Sequence, residues 1–311
     1  MRRALVTGAS GCLGRALVEE LQEQGWQVRT TARSQVDLPD FRAAELVCDD
    51  LRPLVAGMDT VFHCAALSSA WGTRAAFHAA NVLATRRLLD AAEQVGVERL
   101  VFASSPSIYA DGTDRLDLPE HAPLPARPLS LYAESKRKAE AMVLGHNGDM
   151  NCTAIRPRAI YGRHDRALLP RLIGAMRQGR VPMIRGGRAL IDLTHRRDAA
   201  RAMILAASGP RGGVWNITSG QRFRFCDLVD LIARESGLRF RRLHLPYGLA
   251  RGLAVVSESM AWLRGGAEPR LTRQAVASLG TSLTLDISAA RRELGYCPAV
   301  RFEEGVAECF A

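Results

Sequence analysis

Two hydrophobic patterns alternate along the first half of the chain. Short apolar runs bounded by turn residues predict buried strands at 4–7, 27–31, 45–48, 60–64, 98–103 and 152–155. Between these runs, apolar residues recur every three or four positions and predict helices that begin near Leu13 and cover 75–95 and 131–144. Strands that alternate with helices predict the α/β class, with a doubly wound parallel sheet.

The pattern changes in the second half of the chain. Predicted helices at 167–177, 199–207, 226–235 and 249–263 are separated by turns that contain Gly and Pro, and short strands are expected near 189–193 and 214–217. No linker or internal repeat divides the sequence. We therefore expect a first domain over 1–160, to which segments near 189–218 return, and a smaller, mostly helical lobe over 161–311 packed on it.

The composition is typical of a globular protein, with 47% hydrophobic residues, and the net charge is +10. The basic residues are spread along the whole chain and lack the interleaved aromatic residues of nucleic-acid sites, so we expect no nucleic-acid partner. A general preference for arginine explains the charge, and phosphate-bearing small ligands are the alternative. Lys136 and Lys138 are the only two lysines, so a site that needs an amine has few candidates.

Cysteine spacing and hydropathy exclude several classes of protein. The seven cysteines are scattered without CxxC spacing, which predicts neither a disulfide framework nor a zinc site. No opening segment pairs a basic start with a long apolar run, and no stretch approaches the roughly 20 apolar residues of a bilayer span. The expected location is cytoplasmic. Residues 249–263 are apolar but short and interrupted by charges, which predicts a lid or pocket helix, with peripheral lipid contact as the alternative.

The first predicted strand runs directly into a glycine-rich turn. Gly8 permits a tight turn, Gly11 lets backbone amides approach a pyrophosphate, and Gly14 lets the following helix pack against the strand. The N-terminus of that helix then faces the phosphates. This order predicts a dinucleotide-binding Rossmann domain over 1–160. Its expected phosphate loop consists of Thr7, Gly8, Ser10, Gly11, Cys12, Leu13 and Gly14.

The end of the second strand distinguishes NADP(H) from NAD(H). A carboxylate there favours the ribose hydroxyls of NAD, whereas this sequence presents Arg33 and Ser34 with no acid in reach. We therefore expect NADP(H) to be preferred over NAD(H), the alternative being that Arg33 is only a solvated turn residue. After the third predicted strand, Asp49 or Asp50, with Leu51 beside them, is expected at the adenine.

Tyr132 and Lys136 lie four residues apart on a predicted helix, so their side chains share one face. A positive charge near a phenol lowers its pKa from about 10 towards neutrality, which would let Tyr132 exchange a proton with a substrate oxygen. Lys136 would also donate to the nicotinamide ribose. In the loop after the fifth predicted strand, we choose Ser105 as the hydroxyl that polarises a substrate carbonyl, with Ser104 and Ser107 as alternatives.

Together these residues resemble the extended branch of the short-chain dehydrogenase/reductase superfamily. The motifs that carry the resemblance are TGASGCLG, VFHCAA, NVLATRRLLDAA, SSPSIY, YAESK, IRPRAIYG and WNITSG, and they cover nearly the whole chain. The resemblance implies that Asn81 braces the sheet near the catalytic helix and that the chain forms a homodimer through two long helices. The residues that it implies along the cofactor cleft are Cys64, Ala65, Ala66, Pro157, Ala159 and Ile160.

Two stretches, LSSAWG and LIDLTH, look like the 3-beta-hydroxysteroid dehydrogenase branch and the related bacterial 2-alkyl-3-oxoalkanoate reductases. Nucleotide-sugar epimerases usually carry Arg-Asp-Phe or Arg-Asp-Tyr where this chain reads IDL. Sugar dehydratases carry an Asp-Glu pair where it reads PS. The chain departs from the first branch at Arg196 and Arg197, which are expected to face either an anionic substrate group or solvent.

Candidate substrate contacts follow from the same stretches. An apolar pocket would draw on Leu67, Trp71, Ile108 and Tyr161, although a core role explains Trp71 equally well. His63, His164 and His195 are further candidates, with a hydrogen-bonded structural histidine as the alternative for each and no metal-ligand spacing among them. The candidate substrate set is Leu67, Trp71, Ser107, Arg158, Tyr161, Thr194 and His195.

The leading hypothesis is an NADP(H)-dependent oxidoreductase that interconverts a ketone and a secondary alcohol through Ser105, Tyr132 and Lys136. Its small-molecule substrate would be apolar and able to carry a carboxylate. The second hypothesis is a nucleotide-sugar epimerase that retains NAD(P). A non-catalytic NADPH-binding sensor is the third, and it is disfavoured because both the tyrosine and the lysine are present.

Overall fold

The computed structural model describes residues 2–264, 266–269 and 271–310. The first half of the chain includes a turn of π-helix, His78–Leu83, and a 3-10 turn, Pro106–Tyr109. The elements of the first half are β1 (Arg3–Thr7), α1 (Cys12–Glu23), β2 (Gln27–Thr31), α2 (Arg52–Val55), β3 (Thr60–His63), α3 (Arg74–Phe77), α4 (Ala84–Gln94), β4 (Arg99–Ala103), β5 (Arg115–Leu118), α5 (Leu131–Leu144) and β6 (Asn151–Pro157).

The second half alternates short strands with helices. Its elements are β7 (Ile160–Tyr161), α6 (Leu169–Arg177), β8 (Arg180–Ile184), β9 (Leu190–Asp192), β10 (Thr194–His195), α7 (Arg196–Ala206), β11 (Val214–Ile217), β12 (Arg222–Arg224), α8 (Phe225–Ser236), β13 (Arg241–Leu245), α9 (Tyr247–Leu263), α10 (Arg273–Gly280), β14 (Leu283–Leu285), α11 (Ser288–Leu294) and α12 (Phe302–Ala307).

A six-stranded parallel sheet in the order β11-β6-β4-β3-β1-β2 forms the centre of the molecule. Its strands are apolar on both faces because helices cover both. Along β1, Ala4 and Val6 belong to the core on the side of α1 and α7, whereas Leu5 belongs to the core on the side of α4 and α5. This arrangement confirms the doubly wound α/β fold. All six carboxyl ends lie at one edge, where such folds bind ligands.

The strand predicted at 45–48 is wrong, because these residues form a turn. The carbonyl oxygen of Glu45 accepts hydrogen bonds from the amides of Cys48 and Asp49, at 3.1 and 3.0 Å. The Asp49 carboxylate in turn accepts from the Glu45 amide at 2.7 Å. Leu46 is nevertheless buried. The apolar residues at 45–48 therefore reflect burial and not strand formation. The hydrogen bond between the Asp49 carboxylate and the Glu45 amide favours the turn.

The second lobe contains small sheets as well as helices. A four-stranded sheet runs in the order β12-β9-β14-β5 and includes β5 from the first half of the chain, and β13 pairs with β8. The sequence pattern does not predict β13, since it reads RRLHL and four of its five residues are exposed. The domain boundary at residue 160 stays a prediction. None of the helices in the described ranges has the length and hydropathy required to cross a bilayer.

Candidate active site

The turn between β1 and α1 has no room for side chains at two of its glycines. A Cβ atom on Gly8, whose φ is 64°, would lie 2.7 Å from the backbone nitrogen of Ala65, and one on Gly14 would lie 2.3 Å from the Gly8 carbonyl oxygen. No side chain caps the N-terminus of α1 at Gly11. The first-turn amides therefore remain available to an anion, so this cradle fits the pyrophosphate of a dinucleotide.

Buried hydrogen bonds fix the neighbouring strand ends. Thr7 Oγ1 lies 2.8 Å from His63 Nδ1 and accepts a hydrogen bond from the Ala65 amide at 3.2 Å. The other ring nitrogen, Nε2, lies 2.9 Å from Thr85 Oγ1. Burial lowers the pKa of His63 to about 3, and the charge of Lys136 acts in the same direction. His63 is therefore a neutral structural histidine and does not contact substrate.

The turn after β2 exposes both Arg33 and Ser34. In the described ranges no ion pair includes Arg33, whereas Arg29 is held by Asp40 at 2.8 Å and by the Leu54 carbonyl at 2.9 Å. Of the two basic side chains on this segment, Arg33 is therefore the one that can receive a ligand phosphate.

The residues expected at the adenine are engaged locally. Asp49 holds its own turn, Asp50 pairs with Arg52 at 2.8 Å, and Leu51 is buried in the core. Hydrogen bonds from Arg52 lower the pKa of Asp50 to about 2, so this carboxylate is ionised. An adenine contact by Asp49 or Asp50 stays a prediction.

Tyr132 lies in the first turn of α5, near two hydroxyl groups. Burial raises the pKa of Tyr132, and the nearby hydroxyl groups of Ser105 and Ser68 act in the opposite direction. The phenol is thus protonated at neutral pH and faces a pair of hydroxyl groups.

Of the three serines left open by the sequence, Ser105 is the one at the phenol. Ser105 also caps the start of the 3-10 turn, because its Oγ accepts a hydrogen bond from the Ser107 amide at 3.2 Å. Ser104 is buried, and its amide donates to the Ile155 carbonyl at 2.8 Å. Sequence reasoning missed Ser68, although the LSSAWG stretch contains it directly after Leu67.

Lys136 is buried one helical turn after Tyr132. Its Nζ donates to the carbonyl oxygen of Ala103 at 2.5 Å and lies 3.9 Å from the centroid of the Phe102 ring. Burial lowers the pKa of Lys136 to about 7. The sequence predicts that Lys136 lowers the pKa of Tyr132. In the structure, burial has the largest effect on that pKa, and Lys136 is not among the described groups that shift it.

Asn81 joins the loop after β3 to α5. Its Oδ1 accepts from the Leu67 amide at 2.7 Å, and its Nδ2 donates to Ser135 Oγ at 2.8 Å and to the Leu67 carbonyl at 3.2 Å. The side chain belongs to the π-helical turn, a geometry that is frequent at functional sites. Asn81 therefore sets the position of the segment that carries Ser68 relative to the helix that carries Tyr132.

Arg158 follows β6 at the carboxyl edge of the sheet. Its backbone is fixed, because its amide donates to the Ile217 carbonyl at 3.0 Å and its carbonyl accepts from Thr194 Oγ1 at 2.6 Å. Its Nε is buried without a hydrogen-bond partner in the described chain. Burial lowers the pKa of this guanidinium, while the charge of Asp192 acts in the opposite direction. The next residue, Ala159, has a left-handed φ of 42°.

Four candidate substrate contacts lie in the protein core, which corrects the sequence expectation. Tyr161 and His195 are fully buried and pack edge to face at 5.3 Å, close against Gly305 of α12. Thr194 donates its hydroxyl hydrogen bonds to backbone carbonyls. Ile108 is fully buried in a separate apolar cluster. None of the four faces a cleft.

Arg196 and Arg197 form ion pairs with acids of the first half of the chain. Arg196 pairs with Glu19 at 2.8 Å, and Arg197 pairs with Glu20 at 3.3 Å. Both acids belong to α1, so the two arginines link α7 to the helix that follows the glycine turn. The solvent-facing interpretation is therefore wrong for Arg196, which is buried, whereas the Arg197 side chain is 39% exposed.

Trp71 connects the loop after β3 to the second lobe. Its Nε1 donates to the Gly266 carbonyl at 2.7 Å, and its ring lies 4.9 Å from the Trp262 ring. The half-buried indole therefore serves as an inter-lobe contact, and the same loop carries Ser68.

Comparison with known proteins identifies the family. The model of the NAD dependent epimerase/dehydratase family matches residues 4–218. The chain is 37% identical to the 4-hydroxy-2-methyl-3-oxo-4-farnesyl-3,4-dihydroquinoline-1-oxide ketoreductase of Stigmatella aurantiaca, over 98% of this chain and 94% of that protein. It is 33% identical to the 2-alkyl-3-oxoalkanoate reductase of Stenotrophomonas maltophilia, over 98% and 97%. Among solved structures, MoeE5 in complex with UDP-glucose and NAD superposes with a TM-score of 0.78 at 31% identity, over 98% of this chain and 96% of that chain. The chain therefore belongs to the NAD dependent epimerase/dehydratase family, the extended short-chain dehydrogenases/reductases, as an NAD(P)-dependent enzyme.

Proposed function

We propose that this enzyme is an NADP(H)-dependent ketoreductase that interconverts a ketone and a secondary alcohol on an apolar substrate. The observation that carries the proposal is the phenol of Tyr132, which lies near the Ser105 hydroxyl and one helical turn before Lys136. Lys136 reaches the end of β4, and the glycine cradle follows β1 at the same edge of the parallel sheet. Proton transfer and dinucleotide binding can therefore take place in one cleft.

The chain supplies the proton and the polarising groups. The nicotinamide, when bound, supplies or accepts the hydride. The raised pKa of Tyr132 keeps the phenol protonated at neutral pH, which suits donation to the oxygen of a ketone. Ser105 donates a hydrogen bond to the same oxygen as it gains charge. After Tyr132 has given up its proton, the ammonium form of Lys136, whose pKa is about 7, can supply a proton to the tyrosine.

Arg33 and Ser34 support a preference for NADP(H). Both residues are exposed and the stretch 28–34 contains no acid, so a guanidinium and a hydroxyl can donate hydrogen bonds to the 2′-phosphate.

Arg158 supports a substrate that carries a carboxylate. Its guanidinium stands at the ligand-binding edge with a buried Nε that lacks a partner, and a carboxylate would satisfy it. The 2-alkyl-3-oxoalkanoate reductase among the relatives is named for such an acid. The homodimer and the cytoplasmic location stay predictions.

A nucleotide-sugar epimerase is the second candidate function, since MoeE5 was solved with UDP-glucose and NAD. The test is a panel of 3-oxo acids, apolar ketones and UDP-sugars, each with NADPH and with NADH. Net consumption of NADPH with an oxo acid or ketone supports the proposal. Conversion of a UDP-sugar without net redox change contradicts it and supports the epimerase. A sensor would show neither reaction.

A further inference from the structure

Exposed apolar side chains are concentrated on one helix of the second lobe. Eight of the twelve large hydrophobic residues that the described chain exposes lie within 243–263. They belong to β13 and α9, and they are Leu243, Leu249, Leu253, Val255, Val256, Met260, Trp262 and Leu263. Such a patch on a monomer usually marks an interaction surface.

The two faces of α9 have different roles. Ala250 and Ala254 are fully buried against Ile184 and Val276, so the helix contacts its own lobe through small residues. A second set of positions is spaced by four, three, four and three residues, which places the set within an arc of about 80° along about 21 Å of helix. We call this set the α9 stripe: Leu249, Leu253, Val256, Met260 and Leu263, all exposed.

The surroundings of the α9 stripe are basic. Five arginines and one acid lie within 239–264, and these arginines are Arg239, Arg241, Arg242, Arg251 and Arg264. The single acid, Glu258, is largely buried and paired with Arg273 at 2.7 Å. Arg180 stands opposite Arg241 in the β8–β13 pair. On the helix, Arg264 lies beside the stripe, whereas Arg251 lies on the opposite face. Arg242 is paired with Asp230, so the remaining positive charge comes from Arg241 on the strand before α9 and from Arg239 just ahead of that strand.

We propose that the α9 stripe and its arginines dock on an anionic lipid surface, with α9 lying in the plane of the interface. The apolar side chains would enter the boundary between headgroups and acyl chains, and the arginines would contact anionic headgroups. A second copy docked by the same face would bring the two basic rims together, which charge repulsion disfavours.

The helix that carries the stripe also contacts the loop of the candidate active site. The Trp262 ring lies 4.9 Å from the Trp71 ring, and Trp71 belongs to the loop that carries Ser68. This contact lies on the side of α9 that faces away from the stripe. This inference does not require the reductase activity, because lipid binding is measured without turnover.

The test is flotation of the full-length protein with vesicles. We expect the protein to float with vesicles of phosphatidylcholine and phosphatidylglycerol, and to float much less with phosphatidylcholine alone or at high salt. Leu253→Glu should lower the partition coefficient by about tenfold or more, and Arg264→Glu should also lower it. Leu116→Glu is the matched control, since Leu116 is 48% exposed and Leu253 is 47% exposed.

Thermal unfolding and dinucleotide binding establish that each variant folds. Absence of flotation with anionic vesicles would overturn the proposal, and so would equal flotation of the Leu253→Glu and Leu116→Glu proteins. Concentration-dependent self-association that Leu253→Glu abolishes, without vesicle binding, would identify a second copy as the occupant and would also overturn it. Loss of flotation with intact ketone reduction separates this proposal from the proposed function.

Discussion

The ammonium group of Lys136 donates a 2.5 Å hydrogen bond to the carbonyl oxygen of Ala103, the last residue of β4. This bond joins the helix that carries Tyr132 to the carboxyl edge of the sheet. It also places the amine in a buried position, where the charged form is less favourable than in water.

Stability should depend on pH through Lys136. Its folded pKa of about 7 lies below the ordinary value of 10.5, so the unfolded chain binds more protons between these pH values. The free energy of unfolding contributed by this group therefore rises with pH across that window. Chemical denaturation between about pH 7 and 10 should show a rise that Lys136→Met removes. A Lys136→Met protein with the same pH profile as the wild type would contradict the assignment.

Tyr132→Phe removes the proposed proton donor while keeping the ring. General acid catalysis contributes roughly a hundredfold to ten-thousandfold, so kcat should fall by about that factor. Oxidation of NADPH followed at 340 nm measures it, using whichever ketone the substrate panel identifies. Fluorescence titration should show that NADPH binding changes little. An unchanged rate in Tyr132→Phe would refute the proton-transfer role.

Ser68→Ala should lower kcat less than Ser105→Ala does.

Arg33→Ala tests the cofactor preference. A charge-assisted hydrogen bond to the 2′-phosphate should be lost, so kcat/KM for NADPH should fall about tenfold or more. The same quantity for NADH should stay nearly constant. Arg29→Ala is an unsuitable control, because Arg29 donates a hydrogen bond to the Leu54 carbonyl and the loss of this bond would disturb the fold. A wild-type enzyme that prefers NADH would exclude this role for Arg33.

Arg158→Leu separates substrate recognition from folding. For a 3-oxo acid, KM should rise about tenfold or more, whereas the matching methyl ester should be little affected. The substitution removes a buried Nε without a partner but also removes a positive charge that acts on the buried Asp192, so the free energy of unfolding of the variant is measured alongside. Equal losses for acid and ester would show that Arg158 has a structural role only.

Gly14→Ala tests the close approach in the phosphate cradle. The new methyl group would lie 2.3 Å from the Gly8 carbonyl oxygen, so the turn must shift. We expect about 1 to 3 kcal/mol of destabilisation together with loss of dinucleotide binding. Gly174→Ala is the matched control on α6, where a Cβ meets nothing within 4 Å. That variant should bind dinucleotide normally and unfold at an equal or higher temperature.

The sequence predicted what depends on short segments of chain. Gly8 and Gly14 are required by contacts within the turn or next to it, and the four-residue spacing of Tyr132 and Lys136 follows from helix geometry. The strands of the central sheet were predictable because burial on both faces leaves almost continuous apolar runs.

What the sequence could not predict depends on distant packing. Tyr161 and His195 are buried because Gly305, more than a hundred residues further along, leaves room for both rings. The pKa of Tyr132 is set by burial, which no local spacing reveals. Ser68 was missed because its position depends on Asn81, which holds the Leu67 backbone from another element.

The indole of Trp71 has a consequence for how the candidate site is held together. Its hydrogen bond to the Gly266 carbonyl fastens the loop that carries Ser68 to the chain beyond α9. The second lobe therefore takes part in placing one of the two hydroxyl groups near Tyr132, although that hydroxyl belongs to a loop of the central sheet.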